Sequence, residues 1–231
     1  MLVNSAVCYG LKVRFAGALA AFSCVLLPAS APAPEPDPFI ALHQRAREVE
    51  RSLLTLRADF VETTESDLLI EPIVESGKMI AARPIRVLLQ YEKPEKKLLL
   101  IDGDQLLVAW PERGQSERMP IAKIQQTVDK YFYQASDKEL QRHFVIHVTS
   151  DPGVPGTRRI EMIAKRKQIQ EGLERLELWV EDRTVYMVKM RLVYPNGAGA
   201  KTIELSNLVA NVPVEDEEFR VELPSNPLHT R

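Results

Sequence analysis

His143 and His147, in the stretch HFVIHV, are the closest histidine pair in the chain, and two imidazoles near one another invite a metal. The alternating apolar residues around them read as a strand. There a spacing of four puts both rings on one face but about 13 Å apart, too far to share an ion. Asp102 and Asp104 flank Gly103 and could divide acid and base roles between two carboxylates. An Asp-Gly turn splays them instead, and the expected turn is type I′. The segment NGAGAKT, residues 196–202, has the glycines and lysine of a phosphate loop without the Gly-x-x-x-x-Gly-Lys spacing, and it runs into a strand pattern rather than a helix. No Gly-x-Ser-x-Gly elbow occurs. Trp110 and Trp179 could stack on a ligand, although core packing or a rim position is the better reading of each. No catalytic residue, metal or cofactor is expected, and the chain reads as a binding protein rather than an enzyme.

Binding without catalysis needs a surface, and residues 83–111, RPIRVLLQYEKPEKKLLLIDGDQLLVAWP, supply one. They read as three strands cut by Pro94 and the Asp-Gly turn. A strand with one wet side alternates apolar and polar, because successive side chains point to opposite faces. Here Val87, Leu89 and Tyr91 fill one face while Leu88 lies on the other. Leu98 and Leu100 then alternate with Leu99 and Ile101, and Leu106 and Val108 with Leu107. Two apolar faces need two covers. A helix on each side, or a sandwich partner, is the ordinary answer, and a ligand cavity is the sharper one.

The ends of the chain and its charge narrow the classes further. With 231 residues, 45% hydrophobic and 27% charged, the composition is that of a globular protein. Lys12 and Arg14 precede the apolar run FAGALAAFSCVLL and the Ala-Pro segment PASAPAPEPDP, the pattern of a secretory leader over residues 1–33. The run is too short for a membrane span. Cleavage is expected to leave a mature start near residues 32–35. Cys24 could be lipidated, but Phe22 and the apolar residues after the cysteine make a poor lipobox. Both cysteines, Cys8 and Cys24, fall in this leader, so residues 34–231 carry no disulfide, thiolate or cysteine-bound zinc. Without the leader 28 basic face 32 acidic side chains, a net charge near −4 that gives nucleic acid no footing.

The elements follow helix, sheet, helix, sheet, within one domain over residues 34–231. Leu42, Ala46, Val49, Leu53, Leu56 and Phe60 recur at helical spacing after Pro38, which suits a helix start. A second pattern, Ile121, Ile124, Val128, Tyr131 and Phe132, interrupts the strands after GQSERMP, and SDKE at residues 136–139 is a capping box. Five further strands run to the end. Ten or eleven antiparallel strands in one curled sheet predict an incomplete β-barrel, mainly β within the α+β class, whose helices cover the concave apolar side.

Three segments, in this order, resemble the periplasmic outer-membrane lipoprotein carrier family, LolA. They are LRADFVETTES, then GKMIAARPIRVLLQYEKPEKKLLLIDGDQLLVAWP, then MRLVYPNGAGAKTIELSNLVANVPVEDEEFRVELP with Gly197, Thr202, Asn211, Asp216, Phe219 and Pro224 in matching order. Together they span nearly the whole of the mature chain. The resemblance implies a soluble, monomeric periplasmic carrier that shelters the acyl chains of a lipoprotein or related lipid. It also implies hand-over from an inner-membrane release complex to an outer-membrane acceptor. The family's lid-latching arginine falls on Arg83, before Pro84, and the hydrophobic cavity falls on Val87, Leu89, Tyr91, Leu98, Leu107, Ile124, Val128 and Phe132. The chain departs from the family's aromatic residues at Val87, Leu89, Leu107 and Ala109. A membrane-anchored lipoprotein acceptor or lipid-sensing module of the same fold is the alternative, and an enzyme acting on lipid or cell-wall substrates is a third class.

Overall fold

The computed structural model describes residues 37–221; the leader, Cys8, Cys24 and Pro224 lie outside the described residues. Helix α1 (Pro38–Ser52) leads into strands β1 (Thr55–Glu65), β2 (Ile73–Ala82), β3 (Arg86–Lys93), β4 (Lys97–Asp102), β5 (Gln105–Trp110) and β6 (Gln115–Pro120). A crossing segment holds α2 (Ala122–Val128), a π-helical turn (Asp129–Tyr133) and α3 (Asp137–His143). The chain returns through β7 (Phe144–Ser150), β8 (Thr157–Ala164), the short α4 (Lys167–Gln170), β9 (Arg175–Glu181), β10 (Met187–Val193) and β11 (Ala200–Ala210). Among the described residues no helix is long and apolar enough to cross a membrane.

All eleven strands form one antiparallel sheet, ordered β6-β5-β4-β3-β2-β1-β11-β10-β9-β8-β7. β1 and β11 pair at its centre, and two meanders run outward to edges β6 and β7, which do not pair with each other. The sheet is therefore open, as an incomplete barrel requires.

Local chemistry sets several boundaries. Asp37 caps α1 by accepting from Phe39 N at 2.9 Å, and Pro38 takes the first position, where no N–H is needed. The Ser136–Glu139 capping box starts α3 as its sequence predicts. The helical periodicity through Leu53, Leu56 and Phe60 does not continue as helix. α1 stops at Ser52, because Leu56 and Phe60 are taken into β1 by pairing with β2 and β11 on both sides. GQSERMP, to which the sequence assigns no element, supplies β6, whose six residues are all exposed on an edge and show no apolar alternation. The turn between β4 and β5 differs too. Of its central residues, Gly103 and Asp104, only Gly103 has positive φ, at 56°, as type II′ requires and type I′ does not.

Two clusters build the core. α1 packs Phe39 and Leu42, with Tyr131, Leu140 and Ile169 of the other helical segments, onto Phe144, Ile160, Met162, Leu176 and Val180 of β7 to β9. This defines the helix face of the sheet. A second cluster, Ile80, Leu88, Leu100 and Leu107, lies on the opposite face of β2 to β5, under Phe219, Val214 and Val221 of the C-terminal segment. Close approach of β2 and β3 needs Gly77, where a Cβ would stand 1.9 Å from the Gln90 carbonyl oxygen. Gly77→Ala is expected to cost about 2–3 kcal/mol, read as a fall in the urea midpoint at unchanged m-value; an unchanged midpoint would show that β3 yields freely there.

Candidate functional site

Pairing register decides which side chains share a face. Leu89 stands opposite Met79 on β2 and Leu99 on β4, and Val87 opposite Ala81 and Ile101. Val108 and Leu106 of β5 lie opposite Leu99 and Ile101. Val87, Leu89, Leu99, Ile101, Leu106 and Val108 thus form one strip across three strands, on the helix face. Each is only half-buried, and none belongs to either core cluster.

The residues expected to line one cavity are divided between the two faces. Val87, Leu89 and Tyr91 lie with the strip. Leu98 stands opposite Gln90 and Ala109, and Leu107 opposite Leu100, so both belong to the opposite face beneath the C-terminal segment. Leu98 and Leu107 are core residues there, because an offset of one residue along a strand reverses the face. Phe132 packs against the first cluster, its ring 5.3 Å from that of Phe144. Ile124 and Val128 of α2 remain 64% and 38% exposed.

Towards the β1–β2 turn the strip ends at a polar belt on the same face. Glu62, 4% exposed, accepts from the Tyr91 hydroxyl at 3.1 Å and from Lys201 Nζ at 2.5 Å. Lys97 Nζ pairs with Glu75 at 2.8 Å and sits 3.9 Å from the Tyr91 ring centroid. Phe60 meets that ring edge-on at 4.9 Å. Burial first, then the neighbouring Glu62 carboxylate, push the Tyr91 phenol above its ordinary range, so it stays a donor at physiological pH. Glu62, Glu75, Lys97 and Lys201 were not among the expected site residues. Their signal is faint: polar residues at inward positions of otherwise apolar strands.

At the other end of β1, Arg83 meets the end of α1. Its Nε donates to the Leu53 carbonyl at 2.7 Å and its Nη2 to the Glu50 carbonyl, while its backbone N–H donates to Leu54 O at 3.0 Å. Helix-terminal carbonyls lack intrahelical partners, and a planar guanidinium can serve two at once. Asn211 holds the same turn from the far side, accepting from Leu54 N at 2.8 Å and donating to Ser52 O at 3.1 Å. α1 is also tied to α3 by the His43–Asp137 pair and by Gln141 donating to Asp37 at 2.7 Å.

His143, at the end of α3, is buried edge-on to Tyr131 at 5.2 Å, and its Nδ1 has no hydrogen-bond partner. Burial, then the charges of Arg166, Arg142 and Lys130 against the opposing Glu139, lower its pKa. A depressed pKa favours the neutral ring in the folded state. Its stabilisation is complete above the ordinary imidazole value near 6.5 and is lost as pH falls below it. The urea midpoint of the wild type is expected to drop between pH 7.5 and 5.5, before most carboxylates titrate. His143→Gln should flatten that slope; equal slopes would assign it elsewhere. Among the described residues no group of three His, Cys, Asp or Glu side chains is placed to hold a metal.

A family profile described as outer membrane lipoprotein carrier protein LolA matches residues 51–222. No curated protein matches the chain. Among solved structures, MucB is similar at 10% identity and a TM-score of 0.51, covering 79% of this chain and 62% of MucB. An uncharacterized conserved protein from Thermus thermophilus matches at 9% identity and a TM-score of 0.50, over 79% of this chain and 93% of that one. The Mycobacterium tuberculosis lipoprotein LppX matches at 13% identity and 0.48, over 78% and 99%. Identities this low show a common fold.

Proposed function

This chain belongs to the outer membrane lipoprotein carrier protein LolA family, and from that premise we propose that it is a soluble periplasmic carrier. It would hold the acyl chains of a lipoprotein, or of a related lipid, against the helix face of β3 to β5 and move them toward the outer membrane. The observation that carries this reading is the strip of six aliphatic side chains, half-buried and outside both cores. Aliphatic surface binds acyl chains through burial, at about 0.8 kcal/mol per CH2. Val87 and Leu89 would line the site with Leu99, Ile101, Leu106 and Val108, and Tyr91 would close one end of it. Ile124 and Val128 would complete the cover once α2 shifts over the ligand. Arg83 would latch α1 when the site is empty.

Mass spectrometry of the exported protein and of its organic extract tests the proposal. A carrier yields an intact mass starting near residues 32–35 and an extract containing acylated cysteinyl peptides or a lipid in stoichiometric amount. A clean extract, together with no binding of a fluorescent palmitoyl probe, would overturn it. An acylated Cys24 would instead make the chain a membrane-anchored acceptor. The inner-membrane release complex and the outer-membrane acceptor belong to the same proposal, and crosslinking from the Arg83 end of α1 is the way to find them.

A further inference from the structure

Strands β6 and β7 are the two edges of the sheet, and an edge presents unpaired N–H and C=O groups to any other strand. β6 is protected by Glu117 and Arg118 at its middle and by Pro120, which has no N–H, at its end. β7, FVIHVTS, has no proline, lysine, arginine or carboxylate, and it runs against β8 without a bulge over all seven residues. Ile146 and Val148 pack toward the helix-face core, while Val145, His147 and Thr149 are exposed on the other face.

The register shows which backbone groups of β7 are free. Lys165 N donates to His143 O at 2.8 Å, which makes residues 143 and 165 a hydrogen-bonded pair. Bonded and non-bonded pairs alternate along an antiparallel ladder. Val145, His147 and Thr149 therefore bond to β8, and Phe144, Ile146, Val148 and Ser150 turn their backbone groups outward. The Phe144 N–H closes α3 on Leu140 O, and among the described residues no segment takes the others.

We infer that β7 pairs with β7 of a second copy of this chain, antiparallel and centred on His147, joining two eleven-stranded sheets into one. In this register the strand is complementary to itself. Ile146 faces Val148 and Val145 faces Thr149 across the seam, each twice, and such β-branched pairs are favourable. His147 meets its own copy. Outward groups meet outward groups, closing about six backbone bonds between the copies. A shift by one residue sets free groups against bonded ones, and a shift by two leaves two of the seven residues unpaired.

Charge favours the same arrangement. Arg142, Lys165 and Arg166, all exposed, flank the start of β7. Asp151 follows its end, where Arg158 and Asp182 offset each other at 2.9 Å. An antiparallel pair sets each basic start against an acidic end. The two-fold axis stands perpendicular to the sheet, so both helix faces look the same way. Both aliphatic strips lie toward the opposite edges and stay open, which makes the pairing independent of what they carry. A dimer, in place of the monomer that the family resemblance implies, is the form expected in solution.

The test uses the full chain with Cys8 and Cys24 replaced by Ser and single cysteines introduced on the exposed face of β7, oxidised in air. At the centre of the register the two Cα atoms stand about 4.5 Å apart, within disulfide reach. His147→Cys alone is therefore expected to form an intermolecular disulfide. Val145→Cys and Thr149→Cys, each about 13 Å from its own copy, should not link alone and should link when mixed. His147→Lys sets like charges at the centre and should weaken self-association in sedimentation about fivefold or more at an unchanged urea midpoint. Equal linking of all three single cysteines would show association through another segment, the apolar leader included, and overturn the pairing. So would His147→Cys that does not link, or a wild type that sediments as a monomer at every concentration, which would leave the edge to another protein's strand. Association of His147→Lys as tight as that of wild type would overturn it equally.

Discussion

Leu89→Asp is expected to weaken binding of a palmitoyl probe about 100-fold while leaving the unfolding free energy from urea titration within about 0.5 kcal/mol of wild type. Leu89 sits in the middle of the aliphatic strip, flanked by Met79 and Leu99, and is half-buried. A carboxylate there keeps its water while the site is empty and must shed it when an acyl chain arrives. That desolvation costs about 3 kcal/mol, which is about two orders of magnitude in affinity. Leu107→Asp is the opposite case. Leu107 is buried among Ile80, Leu88, Leu100 and Phe219 on the other face, so a charge there strikes the folding core. It should lower stability by about 3 kcal/mol or more and affect binding only through the fraction that remains folded. The two variants separate the faces that adjacent leucines occupy. Unchanged probe affinity in Leu89→Asp would remove the strip from the proposed function.

Arg83→Leu is expected to leave loading intact and reduce transfer to an acceptor at least about tenfold. The guanidinium holds the Leu53 and Glu50 carbonyls at the end of α1. Leucine keeps the bulk of the apolar stem and removes every side-chain donor, so the turn after α1 keeps the backbone bond from residue 83 to Leu54 O and the Asn211 side chain on the other side. In the proposed carrier, the state latched by Arg83 would compete with ligand for the helix face. Weakening it raises apparent affinity and slows release, because a ligand is driven out only by the state that excludes it. Probe retention should lengthen as transfer falls. Transfer at the wild-type rate would show that the Arg83 contacts fasten α1 without switching it. Combining Arg83→Leu with Asn211→Ala separates the roles further, since an anchor shared by two residues should fail only when both are gone.

The sequence by itself determined the elements whose causes are local. Asp37 and Pro38 start α1, Ser136 and Glu139 start α3, and both effects act within four residues. Alternating apolar residues marked most of the strands, and the doubly apolar reading of residues 83–111 showed that both faces of their sheet are apolar. The order of weak motifs, Arg83–Pro84 among them, was enough to suggest the family. What tertiary structure alone decided is what depends on a partner distant in sequence. Alternation identifies a buried face only when the other face is wet. In β4 and β5 both faces are apolar, so only register could put Leu99 and Val108 with the strip and Leu98 and Leu107 in the core. The cover over that core comes from Phe219, Val214 and Val221, more than a hundred residues away. α1 ends at Ser52 although its apolar period runs on, because pairing with β2 and β11 outweighs a few tenths of a kcal/mol of helix propensity per residue. The belt of Glu62, Tyr91, Lys97 and Lys201 draws on four separate strands. Each of these charges reads as a solvated residue until the sheet brings its counter-charge within reach, and only then is its burial energetically possible.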